Sequence, residues 1–446
     1  MAARSLKQLS DVISQNAALL SRKLESRGLS DLTVRDVKAL SPSELDGVAA
    51  AELANAAREL QALVLSPAEQ LNMLSFSCHD ASSVGTLLMF DIPKLVPLHG
   101  SIALGKLAVL SGLHEDKLAR IIRYATTNFI FCEPSPGHVA HTALSAALTR
   151  DQGFAAFLRL ALVDLAPISV ALPRACSTWP QSEEPTQCGV NVAYDTAEPF
   201  FTWLSRDPAL QMRFDKGMAG FSGENGGAMG GRSEITDVTA YPWATKLPAE
   251  AVIVDVGGGY GHISRALKKA FPSFRITVQD RSEVIDAVLS SLLSSGDDLG
   301  GDGDNGNNAT VSSHLGIAYQ AHNFFDPQPL VADAYFLRQI IHDWPQRECV
   351  AILRALIPAL KPGARVLVSE YIVPSPEELA EPGRIIEAKI MRELDLQVMA
   401  ELNSKERTKD EFIALFSEAD PRLRFSGTYQ IPEDRKSCIL EAVWEP

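Results

Sequence analysis

Residues 251–262 read AVIVDVGGGYGH, and the change of character within these twelve residues decides the fold. The first six are apolar and largely β-branched, as in a strand buried on both faces. Glycines 257, 258, 259 and 261 then allow a tight turn and leave backbone N–H groups bare where the helical pattern HISRALKKAF begins. Strand, glycine turn and helix in that order open a βα unit. Position 262 is His, so the turn departs from the dinucleotide pattern Gly-x-Gly-x-x-Gly and phosphate cradling is disfavoured. A second acid, Asp280, closes the next strand in ITVQD, where a ribose diol would present its hydroxyls to a carboxylate. Turn and acid together point to a nucleoside-containing cofactor.

Downstream the rhythm continues. FRITVQD, GIAYQAHNF, AYFLRQI and RVLVSEYIV are strand-like, and helical patterns such as ECVAILRALIPAL separate most of them. Such alternation predicts an α/β domain with a parallel sheet covered on both faces. SSGDDLGGDGDNGNNAT, residues 294–310, interrupts it. Its Gly, Asp and Asn cannot bury a core, so a disordered insertion is expected there. The EF-hand spacing and its closing Glu are missing, which argues against calcium.

Upstream, residues 1–65 place Leu and Ala at helical spacing and suggest helices used for self-association. Residues 101–142 read as a helix, a Gly turn, a second helix, the β-like NFIFCE and a Pro/Gly turn, in the manner of a helix-turn-helix with a wing. Its second helix offers only Lys117, Arg120 and Arg123, and the 446-residue chain carries a formal net charge of −14. Phosphate backbones are repelled by that balance, so a packing module is expected and nucleic acid is not. Six scattered cysteines with no Cys-x-x-Cys pair suit free thiols in a reducing compartment. No signal-like h-region opens the chain, and no run reaches the roughly 18 apolar residues of a membrane span. A cytoplasmic protein with no membrane partner is the expectation.

Residues 339–346, QIIHDWPQ, place His342 and Asp343 directly after a strand-like run. DVGGGYG, VQDRSEVI, ADAYFLRQIIHDWPQREC, LVSEYIVP and DLQVMAELNSKERT occur in that order. Together they resemble the S-adenosylmethionine-dependent O-methyltransferases of the caffeic-acid type, in particular the fungal natural-product branch. DIPKLVPLHGSIALGKLA, RIIRYATTNFIFCE and HVAHTALSAAL resemble that family's winged-helix dimerisation domain, and RFDKGMAGFS its linker. The resemblance implies a class I, Rossmann-like, mainly parallel seven-stranded sheet in residues 191–446. It also implies a helical, winged-helix dimerisation domain in residues 1–190, and a homodimer.

For the site, the resemblance implies that Gly257, Gly258, Gly259 and Asp280 hold S-adenosylmethionine, with Asn323 and Phe324 flanking its adenine. Arg338 stands where the family usually has Lys. Two further departures are Asn323, where Asp is common, and Arg-Ser after Asp280 in place of Leu-Pro. An amide still accepts from an exocyclic amine, so altered affinity is expected, not lost binding. Phe214, Met218 and Val398 match positions lining the acceptor pocket. Moving a methyl group from a sulfonium to oxygen needs a base with a pKa near working pH and no metal, which suits an imidazole held by a carboxylate. His342 is therefore expected to be the general base, Glu370 and Glu406 to position it, and Asp343 to order the turn or touch the acceptor. The acceptor would be the hydroxyl of a small aromatic or polyketide-like compound. A satisfied structural role is expected for His141. Within the same fold, an enzyme that binds S-adenosylmethionine but performs a pericyclic or dehydration step is the alternative. A winged-helix regulator and a metal-dependent catechol methyltransferase fit less well.

Overall fold

The computed structural model describes residues 4–29, 32–38, 40, 45–221, 238–294, 300–301, 310–312, 316–379, 384–430 and 437–446. The chain folds as two compact units. The first comprises Met1–Pro167, Leu204–Phe221 and Ser375–Ile390; the second comprises Ile168–Trp203, Ser222–Pro374 and Met391–Pro446. A single cut at 190/191 therefore differs from the division the fold makes. The reason lies in packing: the helix Pro208–Phe221 lies so close to the first unit's helix Gln152–Arg159 that a Cβ on Gly220 would collide with the backbone of Gly153.

In the first unit, strands β1 (Ile102–Ala103), β2 (Cys132–Ser135) and β3 (His138–Ala140) form an antiparallel sheet in the order β1-β3-β2. Helices Leu104–Ser111 and Glu115–Thr127 precede β2 and β3; of the β-like NFIFCE only Cys132 and Glu133 join a strand, residues 128–131 being turn and bend. Gly112 ends the first helix at φ 74°, a left-handed conformation that glycine adopts without strain. Leu107, Leu118, Ile122 and Val139 are fully enclosed in the core of the module.

One expectation is corrected here. Residues Gln152–Thr178 form a continuous 27-residue helix, long and apolar enough to cross a bilayer. Asp164, Pro167, Pro173 and Arg174 break the apolar run and hide its length in the sequence. Within the first unit Asp164 is held by Arg213 at 3.0 Å, and Leu160 packs against Gly217, contacts that protein, not lipid, supplies.

The second unit is built on β4 (Val252–Val256), β5 (Arg275–Asp280), β8 (Ile317–Ala321), β9 (Ala332–Arg338), β10 (Leu360–Tyr371), β11 (Leu423–Gln430) and β12 (Ser437–Trp444). They lie in the order β11-β12-β10-β9-β4-β5-β8. Pairs among β8, β5, β4, β9 and β10 are parallel, and β12 runs antiparallel to both neighbours. The seven-stranded, mainly parallel sheet is as expected. At its edge, β6 (Gly300–Gly301) and β7 (Thr310–Ser312) add two short antiparallel strands. The expected disordered insertion is thus part strand; its residues 295–299 and 302–309 lie outside the described residues.

Strand order dictates where a ligand fits. From β4 the chain steps outward to β5 and β8, then returns to β9 on the other flank of β4. The turns leaving β4 and β9 therefore diverge to opposite sides and open a crevice at the carboxyl ends of the strands. The glycine turn leaves β4, and the His342 turn leaves β9.

Candidate active site

The two turns meet. A Cβ on Gly257, whose φ is 70°, would lie 2.5 Å from Ile340 Cδ1 of the opposite turn. On Gly258 it would strike the Asp255 carboxyl group at 2.5 Å. Glycine is needed at both positions for closeness, and at the first for its dihedral as well. Gly257 N and Gly258 N donate to Gln279 O at 2.8 and 3.2 Å, and Gly259 N donates to Asp280 Oδ2 at 2.9 Å. Arg281 N donates to Oδ1 of the same carboxylate at 2.8 Å. Each oxygen keeps a lone pair for a further donor such as a sugar hydroxyl. Burial raises the Asp280 pKa above the ordinary carboxylate value, against the pull of these N–H groups.

A cradle that side chains would fill, ending in an acid with spare acceptor capacity, fits the nucleoside end of the expected cofactor. Phe324 reaches the same place, with its ring within 3.8 Å of the Gly257 Cβ position and edge-on to Trp344 at 5.8 Å. Asn323 is exposed and caps its own turn by accepting from Phe325 N at 3.2 Å. The Arg338 charge acts on Asp255, whose pKa burial pushes up to about 6 while the Ser264 hydroxyl, 2.6 Å away, opposes the rise.

His342 sits in a single 3₁₀ turn, Ile341–Asp343, entered through Gln339 at φ 55°. A left-handed glutamine is strained and persists only if its surroundings hold it. Glu370, fully buried on β10, does so from one side: its Oε1 accepts from Ile340 N at 3.0 Å and Ile341 N at 2.8 Å, and its Oε2 from Gln339 Nε2 at 2.9 Å. From the other side the fully buried Arg407 donates to Ile341 O at 2.9 Å and Trp344 O at 3.0 Å. The Ser404 hydroxyl lies 2.6 Å from His342 O. An acid takes the turn's N–H groups and a cation its carbonyls, so both charges are met by hydrogen bonds, with Arg407 Nε alone left unpartnered on that guanidinium among the described residues.

The two expected positioning acids therefore act differently. Glu406, 4% exposed, meets the ring itself, accepting from His342 Nδ1 at 2.9 Å. Glu370 holds the backbone that carries the ring. Asp343 Oδ1 is 3.3 Å from the other nitrogen, Nε2. Burial by itself would lower the His342 pKa, but Asp343, Glu406 and Glu370 outweigh it and push it up to about 10. Burial raises Asp343 to about 6, with the imidazole opposing. The arrangement can hold an imidazole strongly basic, fixed by a hydrogen bond at Nδ1, with only the Asp343 carboxylate beside Nε2 among the described residues.

Val398 lies on the helix Ile385–Leu402 of this site, 8% exposed. Phe214 and Met218 belong to the other compact unit, on the helix Pro208–Phe221. Three contributors escaped the sequence reading. Ser404 and Arg407 stand inside the quoted SKERT segment, where only the acid had been singled out. Glu401 is one carboxylate among many in sequence, and only burial distinguishes it: its pKa is pushed up to about 7.

Residues 183–420 match the family model of the O-methyltransferase domain. The O-methyltransferase aoiF of Aspergillus oryzae is 36% identical over 393 residues, covering 87% of this chain and 86% of that protein. A chlorophenol O-methyltransferase of Trichoderma longibrachiatum is 34% identical over 394 residues, covering 87% and 79%. Among solved structures, OxaC matches with a TM-score of 0.74 at 20% identity, over 98% of this chain and 100% of that one. LepI, solved in complex with SAM, matches with a TM-score of 0.72 at 20% identity, over 98% and 100%. At such identity the structural likeness speaks for the fold alone.

Proposed function

The chain belongs to the S-adenosylmethionine-dependent O-methyltransferase family, and from that premise we propose that it methylates a hydroxyl of a small aromatic or polyketide-like compound, with His342 as general base. The observation that carries the reading is the imidazole held through Nδ1 by Glu406 at 2.9 Å, in a turn that abuts the glycine cradle. The cofactor supplies a methyl group on a sulfonium, whose departure as a neutral thioether requires no metal. Gly257, Gly258, Gly259 and Asp280 would hold it, with Phe324 against it and with Asn323 and Arg338 at its border.

In its neutral form His342 presents a lone pair at Nε2. An acceptor hydroxyl would pass its proton to that lone pair, and the cofactor, when bound, would supply the methyl group that its oxygen takes up. The resulting imidazolium is stabilised by Glu406 at Nδ1 and by Asp343 beside Nε2. The acids that favour this product also favour protonation of the resting base, so the rate should rise with pH above neutrality. Val398 would form an apolar wall for a flat acceptor. Positioning is expected to supply most of the acceleration, and the base a further factor of about 10²–10⁴.

A homodimer is part of the same proposal. Helix Pro67–Ser75 buries none of its residues, and Leu71, Met73 and Leu74 are 60–67% exposed. An apolar surface of this kind suits contact with a second chain. Light scattering at micromolar concentration should give twice the chain mass, and a monomer would refute it.

The deciding experiment is transfer of labelled methyl from S-adenosylmethionine to a panel of phenols, chlorophenols included. Label in extractable product, undiminished by EDTA, is expected. No label with any acceptor, from protein that binds the cofactor, would favour the pericyclic or dehydrating alternative.

A further inference from the structure

Glu401 is the second-to-last residue of the helix Ile385–Leu402, three residues after Val398 on the same face, and is 8% exposed. Its two oxygens have different surroundings. Oε1 accepts from Gln397 Nε2 at 2.5 Å, and Gln397 Oε1 accepts from the Ser169 hydroxyl at 2.7 Å. Ser169 thereby fixes which way the Gln397 amide faces, and the amide fixes one edge of the carboxyl group. Oε2 has no hydrogen-bond partner among the described residues and is not sealed off. The carboxyl group is within electrostatic reach of both Asp343 and His342.

A nearly buried carboxyl group held along one edge and bare along the other is incomplete. Closing the site over it without a donor would strand an acceptor away from water, which costs free energy. A brace for the helix would need only Oε1. An acceptor molecule that carries a second donor beside its reactive hydroxyl would satisfy Oε2.

We propose that Glu401 is a specificity-determining residue: Oε2 accepts a hydrogen bond from a second hydroxyl of the methyl acceptor, so the site selects polyhydroxylated aromatic compounds over simple phenols. The inference rests on the acceptor site placed beside His342. Burial, with Gln397 opposing and Asp343 adding, raises the Glu401 pKa to about 7; a donor arriving at Oε2 stabilises the anion and lowers that pKa again. A site built to bond a hydroxyl discriminates strongly against an analogue that lacks it.

The probes are the dihydroxynaphthalenes and 2-naphthol, titrated calorimetrically into protein saturated with S-adenosylhomocysteine. Wild-type protein should bind at least one dihydroxynaphthalene about 10–100-fold tighter than 2-naphthol. In Glu401→Gln that preference should fall to within about threefold through loss on the dihydroxy compound alone, with the melting temperature held. In methyl transfer the variant should raise KM for the dihydroxy compound and leave kcat nearly unchanged. Equal weakening of both probes would make Glu401 a brace and overturn the inference. So would wild-type protein that fails to distinguish the probes, including by binding neither. Failure of the catalytic reading would register elsewhere: His342→Ala would keep full activity while the difference in binding stood.

Discussion

His141 and His342 both have little contact with water, yet the protein drives them in opposite directions. His141 lies between Ser145 Oγ at 2.9 Å and Val96 O at 3.1 Å. The carbonyl can only accept, so Nε2 carries the proton and Nδ1 accepts from the hydroxyl. Burial lowers its pKa, and no carboxylate contributes to the balance. His342, its side chain 16% exposed, is largely enclosed too, but Asp343, Glu406 and Glu370 reverse the effect. Burial alone makes a structural imidazole. Burial among acids, with one nitrogen left without a hydrogen bond, makes a base.

Removing the two rings should break the comparison most visibly. His342→Ala is expected to lower kcat by about 10²–10⁴-fold with little change in cofactor affinity by calorimetry, while His141→Gln should leave kcat within a few-fold. Comparable losses in both would mean that His342 only supports the turn. Glu406→Gln keeps the shape of the partner at Nδ1 but withdraws its charge. It should cost on the order of 10²-fold, the low end of what a general base contributes, and an unchanged kcat would remove Glu406 from the mechanism.

Legibility of these features in the sequence followed how local their causes are. Strands such as VIVDV and YFLR are apolar runs whose burial needs no partner to be named, so the mainly parallel sheet could be read directly. The glycine turn was readable because only glycine tolerates what that place demands. The role of Glu370 was not, because it depends on β10 and β9 pairing in register, Ser369 opposite Arg338, which sets the next residue beneath the His342 turn. Arg407 and Ser404 were passed over for the same reason: they act on carbonyl groups more than 60 residues away in sequence. The 27-residue helix escaped because a charge-interrupted apolar run looks short until Asp164 is seen to have its own partner.

Asp343 sharpens the contrast through pH. It is the largest of the influences raising the His342 pKa. In Asp343→Asn the rising limb of kcat/KM against pH should move to lower pH, because less of the base is held protonated at neutrality. A limb that stays fixed, or moves to higher pH, would assign the titration to another group; Glu401, near 7, is the first to consider.

The smallest effect expected is on stability, and it carries opposite signs at the two rings. His342 has a raised folded pKa, so its protonation favours the folded state. Its contribution is complete below about 6.5, the ordinary histidine value, and is lost as pH rises through about 10. His141 has a lowered folded pKa, so its contribution is complete above the ordinary value and fades as pH falls below it. His141→Gln should cost about 1–3 kcal/mol at neutral pH through imperfect pairing with Val96 O and the Ser145 hydroxyl, and should flatten the acid limb of a melting-temperature profile. His342→Ala should leave that limb in place and alter the alkaline one. A profile in which both variants flatten the same limb would mean that the acids around His342 do not outweigh its burial, and the difference drawn between the two rings would collapse.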